Sequence, residues 1–125
     1  MSKKAYGIVI VSHIKELAEG LTRLLGEAAQ EVSITYAGGT EEGEVGTSFD
    51  FISKAISENE ANEIFAFYDL GSAKMNLEMA MEMTDKKIHL MDTSLVESAY
   101  TTAALLQVDA PFETIMEQLK PLKIK

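Results

Sequence analysis

Short apolar runs and longer amphipathic stretches alternate along the chain four times. The runs are rich in β-branched and aromatic residues, which is typical of buried strands, whereas the stretches carry apolar residues three or four positions apart, as amphipathic helices do. The predicted strands are 6–12, 32–36, 64–68 and 87–91, and the predicted helices are 14–29, one beginning at Thr47 or Ser48, 72–83, one beginning at Ser94, and 111–119. This order predicts an α/β fold, in which an open parallel sheet of about four strands has helices on both faces.

Polar residues at the predicted helix starts suggest how the helices are capped. Thr47 or Ser48 is placed to cap the second helix, with Asp50 in its first turn. Ser94 and Glu97 have the spacing of a capping box, and Asp92 is also expected to cap this fourth helix.

Two of the predicted helices are apolar on more than one face. Only one charged residue, Glu97, lies between Thr93 and Val108. In the helix at 72–83, one face carries Met75, Met79, Ala80 and Met83, while Leu77 and Met81 project from roughly the opposite side. A helix that is apolar all round is either deeply buried or shared with a partner, and in so small a domain we favour a subunit interface.

Neither a repeat nor a linker interrupts the pattern, so residues 1–125 are predicted to form a single domain. Hydrophobic residues make up 46% of the chain and charged residues 25%, the proportions of a globular protein. The apolar run at residues 5–11 is too short to span a bilayer, and the absence of cysteine excludes disulfides and thiolate chemistry. The sequence therefore favours a cytoplasmic protein without a membrane segment.

The formal net charge of −9 argues against binding to nucleic acid, whose phosphates would be repelled. An acidic surface would suit a protein partner with a basic docking face, because the charges would steer the encounter. Acidity that serves solubility alone explains the same charge equally well.

Candidate chemistry lies where three predicted strands end. Ser12 and His13 follow the first strand, and Asp69 follows the third. The glycine-rich loop after the second strand and the start of the third helix add further donors, at Gly39, Thr40, Thr47, Gly71 and Ser72. These loops should meet at the carboxyl edge of the sheet, where open α/β sheets build their sites.

The chemistry of these residues is that of a histidine that carries phosphate. A nucleophilic imidazole needs one nitrogen free and the other held as N–H, and Asp69 is the best-placed carboxylate to hold it. Glycine-rich turns and helix N-termini supply backbone N–H groups for an arriving phosphoryl group, and Thr40, Thr47 and Ser72 add hydroxyls.

Each of these residues also has an ordinary structural interpretation. His13 could be a simple loop residue, Asp69 could merely cap the next helix, and the glycines could only make a mobile loop. His89 alternates with apolar residues inside a strand and is interpreted as structural. Glu41, Glu42 and Glu44 are expected to face solvent or a basic partner, because they would repel a phosphate.

Other kinds of site lack their motifs. Gly46-Thr47-Ser48 has no lysine for a nucleotide-binding P-loop, and no G-x-G-x-x-G follows the first strand. A receiver domain would carry an acidic pair where Ser12 and His13 stand. A metal site on His13 and Asp69 lacks a clear third ligand, so neither a metal nor a cofactor is expected.

These motifs are similar to those of the mannose-type EIIA domains of the phosphotransferase system. The resemblance is strongest to the branch of phosphoryl-donor (DhaM-type) subunits of dihydroxyacetone kinases. It rests on Val9-Ile10-Val11-Ser12-His13, Leu17-Ala18-Glu19-Gly20, Gly38-Gly39-Thr40, Gly46-Thr47, Asp69-Leu70-Gly71-Ser72-Ala73 and Leu95-Val96-Glu97, which span most of the chain.

The resemblance implies that Nε2 of His13 is phosphorylated and that Asp69 is its hydrogen-bond partner. It also implies the phosphocarrier HPr as donor, and as acceptor ADP on a DhaL-type subunit, which passes the phosphate to dihydroxyacetone on a DhaK-type subunit. The resemblance further implies a homodimer. A second interpretation is a sugar-transporter component that passes phosphate to a IIB domain, and a third is a binding module in which His13 is incidental.

Two departures from the family pattern affect the site. Many relatives have a small hydroxyl residue after the histidine, where this chain has Ile14, so Ser12 or backbone amides must supply that contact. Relatives often have glycine after Leu-Val-Glu, where this chain has Ser98.

Overall fold

Four parallel strands form one sheet in the order β2-β1-β3-β4 in this computed structural model, which describes residues 4–125. The strands are β1 (Tyr6–Ser12), β2 (Ile34–Gly38), β3 (Glu63–Tyr68) and β4 (Lys87–Met91). The helices are α1 (Lys15–Ala28), α2 (Phe49–Glu58), α3 (Gly71–Glu82), α4 (Leu95–Gln107) and α5 (Phe112–Leu119), after which Lys120–Leu122 forms a 3₁₀ turn. The predicted α/β class is confirmed, and the first three residues of the predicted domain lie outside the described residues.

Helices cover both faces of the sheet, so the two central strands are buried on both sides. Ile8 and Ile10 of β1 pack toward α1, α4 and α5, whereas Val9 and Val11 pack toward α2 and α3. All four side chains are fully buried. This two-sided burial explains why β1 is a continuous apolar run with no polar alternation, as central parallel strands are.

The order of the strands places a topological switch point between β1 and β3. From β1 the chain crosses to one side to form β2, and then returns to the other side to form β3 and β4. Loops that leave two neighbouring strands in opposite directions open a crevice at the carboxyl ends of those strands. His13 follows β1 and Asp69 follows β3, so both lie at this crevice.

The second strand lies two residues later than the sequence predicts. The alternation of residues predicts 32–36, but the strand runs from Ile34 to Gly38. Pairing with β1 sets this register, with Ile8 opposite Ile34 and Ser12 opposite Gly38. The β-branched residue Val32 is 7% exposed and packs on the core from the preceding turn instead.

One predicted cap is confirmed and two are wrong. The Oγ of Ser48 accepts a hydrogen bond from the backbone N–H of Phe51 at 3.1 Å and so caps α2. Ser94 precedes α4 but makes no capping bond with its side chain, which contacts the hydroxyl of Ser98 at 3.2 Å. Asp92 does not cap α4 either, because its carboxylate accepts a hydrogen bond from Tyr68 across the sheet end.

The two apolar helices bury one face each and expose part of the other. In α3, Leu77 is fully buried, whereas Met75, Met79 and Met83 are 69%, 55% and 77% exposed. Of the two apolar sides that the sequence indicates, the one with Leu77 therefore packs on the sheet, and the methionines of the other side lie outward. Among residues 4–125, no helix has the length and apolar character needed to cross a bilayer.

Candidate functional site

The site is built around His13, which follows the last residue of β1 in the crevice. Its side chain is 15% exposed, as is that of Asp69. The Nδ1 atom of His13 lies 2.9 Å from Oδ1 of Asp69, and Nε2 lies 2.5 Å from the hydroxyl of Ser72. The three side chains come from the ends of two neighbouring strands and the first turn of α3, so the topology alone brings them together.

The Asp69 carboxylate lies within hydrogen-bond distance of four groups, two on each oxygen. Oδ2 accepts from the hydroxyl of Ser12 and from the backbone N–H of His13, both at 2.9 Å. Oδ1 accepts from the backbone N–H of Leu70 at 2.7 Å in addition to facing the imidazole. Burial raises the pKa of Asp69, but the hydrogen bonds from His13, Ser12 and Leu70 outweigh it and leave the pKa below its ordinary value.

An ionised Asp69 determines which nitrogen of His13 carries the proton. A carboxylate has no proton to donate, so Nδ1 must be the N–H that faces Oδ1. In the neutral ring, Nε2 then has a free lone pair, which accepts a hydrogen bond from the hydroxyl of Ser72. The ring is therefore held with its unprotonated Nε2 toward the start of α3.

Ser12 is predicted to bind phosphate, but its hydroxyl is engaged within the protein. The residue is fully buried, its Oγ donates to Asp69, and the same Oγ accepts from the backbone N–H of Ile14 at 3.1 Å. This arrangement orients the carboxylate and fixes the turn after β1. Ile14 has no hydroxyl to offer a phosphate. The Ser12 hydroxyl does not supply that contact in this structure, because it is already hydrogen-bonded to Asp69 and Ile14.

The glycine-rich loop closes over the edge of the site mainly through its backbone. Gly39 donates its N–H to the carbonyl of Ser12 at 3.3 Å, and Gly46 donates to the carbonyl of His13 at 2.9 Å. These bonds tie both ends of the loop to the turn that carries the histidine. Gly39 has a φ of +74°, a conformation that favours glycine.

The two threonines predicted as phosphate ligands lie in the same loop but make other contacts. The hydroxyl of Thr40 accepts from the backbone N–H of Glu44 at 3.1 Å and so folds the loop on itself. The hydroxyl of Thr47 accepts from the side-chain amide of Asn76 at 2.8 Å, which connects the loop to α3. Neither hydroxyl contacts His13, whereas that of Ser72 does. The glutamates Glu41, Glu42 and Glu44 are exposed, as the sequence predicted.

The start of α3 supplies the remaining donors. Gly71 is its first residue and Ser72 its second, and the first N–H groups of a helix have no acceptor within the helix. Together with the helix dipole, such groups favour an anion. The Ser72 hydroxyl stands beside Nε2, so an anion bonded to that nitrogen would lie next to this helix end.

Sequence reasoning missed a second cluster beside the crevice. Tyr68 donates its hydroxyl hydrogen to Asp92 at 2.5 Å, and Lys74 lies 3.0 Å from the same carboxylate oxygen. Lys125 donates to the backbone carbonyls of Tyr68 and Asp69. Only the aspartate stood out in the sequence, because tyrosine in an apolar strand and lysine near the chain end carry no local signal.

His89 lies away from the crevice on the edge strand β4. Its Nε2 is 2.6 Å from Oε2 of Glu63, and its ring packs against Phe65 and Phe112 with centroid distances of 5.3 and 4.8 Å. These contacts agree with the structural role predicted for it. Among the described residues, no group of three or more His, Cys, Asp or Glu side chains is placed to hold a metal ion.

Comparisons with known proteins match this chain over nearly its whole length. Residues 7–116 match the family model EIIA-man, described as the fructose IIA component of the phosphotransferase system. The DhaM phosphotransferase subunit of the PTS-dependent dihydroxyacetone kinase of Lactococcus lactis is 52% identical over 120 residues, which cover 96% of this chain and 98% of that protein. The phosphoryl-donor subunit DhaM of PEP-dependent dihydroxyacetone kinase 1 of Listeria innocua is 50% identical over 122 residues, 98% of each chain.

A solved structure agrees with the fold. The crystal structure of a protein of unknown function superposes with a TM-score of 0.82 and 28% identity, covering 100% of this chain and 98% of that one. The sequence matches confirm the resemblance that the strand-end and helix-start motifs indicated.

Proposed function

Because the chain belongs to the EIIA-man family of the phosphotransferase system, we propose that it carries phosphate on His13 as the phosphoryl-donor subunit of a dihydroxyacetone kinase. The observation that carries the proposal is the clamp on the imidazole, in which Asp69 holds Nδ1 as N–H while Nε2 faces the Ser72 hydroxyl. The two relatives that are at least 50% identical bear the name of this kinase subunit. In this proposal, residues 1–125 form one phosphocarrier domain, which contains His13, Asp69 and Ser72.

The proposed step is an in-line transfer of a phosphoryl group between two histidines. The Nε2 lone pair of His13 forms the new N–P bond while the N–P bond of the donor's phosphohistidine breaks and its nitrogen recovers the electron pair. Nδ1 of His13 keeps its proton throughout. The phosphorylated ring then bears a positive charge, which the Asp69 carboxylate at 2.9 Å stabilises.

The surrounding groups stabilise the transferred phosphoryl group. The Ser72 hydroxyl moves its hydrogen bond from the Nε2 lone pair to a phosphoryl oxygen, because that lone pair is consumed by the N–P bond. The N–H groups of Gly71 and Ser72 at the start of α3 provide further positive potential. Thr40, Thr47 and the amides near Gly39 reach the phosphate only if the loop at 39–48 changes its contacts on docking.

The phosphate is proposed to come from phospho-HPr and to leave to ADP held on a DhaL-type subunit. The acidic charge of −9 suits partners with basic docking faces. A homodimer is proposed as well, supported by the exposed methionine face of α3, and sedimentation equilibrium at micromolar concentration tests it.

Phosphorylation by the general components of the phosphotransferase system tests the proposal. The protein is incubated with phosphoenolpyruvate, enzyme I and HPr, and its intact mass is measured at neutral and acid pH. We expect one acid-labile phosphoryl group on the wild type and none on His13→Ala, with His89→Ala as the matched control that retains it. Absence of phosphate on folded wild-type protein contradicts the proposal and returns the chain to a binding module of another kind.

The acceptor is identified by a second transfer. The family description names a fructose IIA component, which keeps a IIB domain of a sugar transporter as the alternative acceptor. The purified phosphoprotein is mixed separately with a DhaL-type subunit loaded with ADP and with a IIB domain of a mannose-type transporter. We expect rapid loss of phosphate only in the first mixture, and transfer only to the IIB domain contradicts the kinase assignment.

A further inference from the structure

The segment that follows the 3₁₀ turn runs along the end of β4. Lys123 forms an antiparallel bridge with Thr93, and the backbone N–H groups of Ile124 and Lys125 both point to the carbonyl of Asp92, at 3.2 and 3.4 Å. Ser94 donates its N–H to the carbonyl of Leu122 at 3.0 Å. These bonds place Lys125 at the carboxyl edge of the sheet, beside the end of β3.

The ammonium group of Lys125 holds the backbone on both sides of Asp69. It donates to the carbonyl of Tyr68 at 2.8 Å and to the carbonyl of Asp69 at 3.1 Å. The first carbonyl belongs to the peptide group before the Asp69 Cα and the second to the peptide group after it. The ammonium also lies 4.4 Å from the centre of the Tyr68 ring, a distance typical of a cation–π contact.

The orientation of these two peptide groups sets the direction in which the Asp69 side chain leaves the backbone. The backbone N–H of Asp69 is fixed as well, by the carbonyl of Val11 at 3.2 Å. The carboxylate must reach Nδ1 of His13, and a misplacement of about 1 Å in a catalytic site can cost about 10²-fold in rate. A cation that bridges the two carbonyls restrains such a displacement.

We propose that Lys125 is a positioning residue for phosphoryl transfer, whose ammonium fixes the peptide groups that flank Asp69 and thereby aims the carboxylate at His13. This inference rests on the proposed function of His13. Lys125 touches neither the imidazole nor, in any described contact, the atoms that react; it acts through Asp69. The ammonium also packs on the ring of Tyr68, whose hydroxyl donates a hydrogen bond to Asp92.

Two substitutions in the same segment separate the role of Lys125 from a general effect of charge. Lys125→Met removes the ammonium and keeps much of the apolar stem. Lys123→Met is the matched control, because the Lys123 ammonium is 4.0 Å from Asp92 and its side chain is 66% exposed. Lys125→Arg restores a cation that can donate to both carbonyls.

The first readout is the protonation of the His13 ring in the unphosphorylated protein, measured by long-range ¹H–¹⁵N correlation. We expect the wild type, Lys123→Met and Lys125→Arg to show Nδ1–H, and Lys125→Met to show a mixture with Nε2–H. The second readout is phosphoryl uptake from phospho-HPr, which we expect Lys125→Met to slow by about tenfold at saturating donor, with little change in the KM for the donor.

Each outcome bears on the inference. If the His13 ring of Lys125→Met carries its proton on Nδ1 as in the wild type, the inference is overturned, even if phosphoryl uptake slows. An equal change of the ring or of uptake in Lys123→Met overturns it as well. If the wild type accepts no phosphate, the proposed function fails, but the ring measurement still decides whether Lys125 positions Asp69. If Lys125→Met is not folded at the assay temperature, Lys125→Gln is measured in its place.

Discussion

Replacement of Asp69 by asparagine removes the charge of the clamp while keeping its size. The carboxylate receives two donors on each oxygen: Ser12 and the His13 N–H on Oδ2, and the His13 ring and the Leu70 N–H on Oδ1. An amide has only one acceptor oxygen. Its NH₂ group takes the place of the second carboxylate oxygen and therefore faces the two donors that this oxygen accepted from. The amide oxygen should replace Oδ2, because the Leu70 N–H is exposed and can be hydrated, whereas the His13 N–H is partly buried.

In this orientation the NH₂ group faces Nδ1, which must then accept a hydrogen bond. The proton of the neutral ring moves to Nε2, the nitrogen that should attack phosphorus. A comparable change in serine proteases costs about 10⁴-fold, so we expect Asp69→Asn to slow phosphoryl uptake by about 10³-fold or more, roughly 4 kcal/mol in the barrier. The free energy of unfolding should fall by only about 1–3 kcal/mol, because hydrogen bonds to a charged carboxylate are replaced by weaker ones to a neutral amide.

Rapid-quench measurement of phosphoryl uptake from phospho-HPr, together with urea unfolding, checks both numbers. Asp50→Asn serves as the control, because Asp50 is an exposed aspartate in the first turn of α2. If Asp69→Asn transfers within about threefold of the wild type while folded, the carboxylate does not set the ring tautomer and the reasoning is refuted.

Three further perturbations have expected outcomes. Ser72→Ala should retain the fold by circular dichroism but slow uptake by about tenfold, because the hydroxyl beside the reactive nitrogen is lost; an unchanged rate would remove it from the phosphate site. Gly38→Ala should lower the free energy of unfolding in urea by about 1–3 kcal/mol, because the added Cβ would lie 2.7 Å from the Cα of Lys15. Gly20→Ala is the control and should not destabilise the protein, because a Cβ at Gly20 would have no neighbouring atom within 4 Å. The stability that wild type gains over Asp69→Asn in urea unfolding should be full at neutral pH. It should begin to fall at about pH 4, the ordinary pKa of a free aspartate, and be lost as pH falls through the lower pKa of Asp69 in the folded state. A difference that grows on acidification would contradict this sign.

The sequence predicts the fold class and the pairing of His13 with Asp69 because both depend on strong local patterns. The apolar run of β1 and the residues at the ends of β1 and β3 determine where His13 and Asp69 lie once the sheet is parallel. The contact of Ser72 with the imidazole follows from its place at the start of α3. The order of strands and helices therefore determines where His13, Asp69 and Ser72 lie.

Errors arose where a long-range contact overrides a local preference. Pairing with β1 places β2 after Val32, and Asp92 accepts a hydrogen bond from Tyr68 instead of capping α4. In α1, the spacing of Leu17 and Leu24 puts them on one apolar stripe with Leu21, yet they are 42% and 48% exposed. No local pattern of residues distinguishes these outcomes, because each depends on which element lies opposite.

The contact of Lys125 with the peptide groups around Asp69 could not be predicted for the same reason. The two residues are 56 positions apart, and the contact uses backbone carbonyls, which every residue has. Only the return of the segment at 123–125 to the end of β4 brings the ammonium there.

The most direct test of the central claim is to locate the phosphorus on the histidine ring. Protein labelled with ¹⁵N is phosphorylated by phosphoenolpyruvate, enzyme I and HPr, and the ring nitrogens are observed by long-range ¹H–¹⁵N correlation. The account predicts phosphorus on Nε2 of His13, with Nδ1 still protonated and facing Asp69. Phosphorus on Nδ1, phosphorus on His89, or no phosphorus on the folded protein would contradict it.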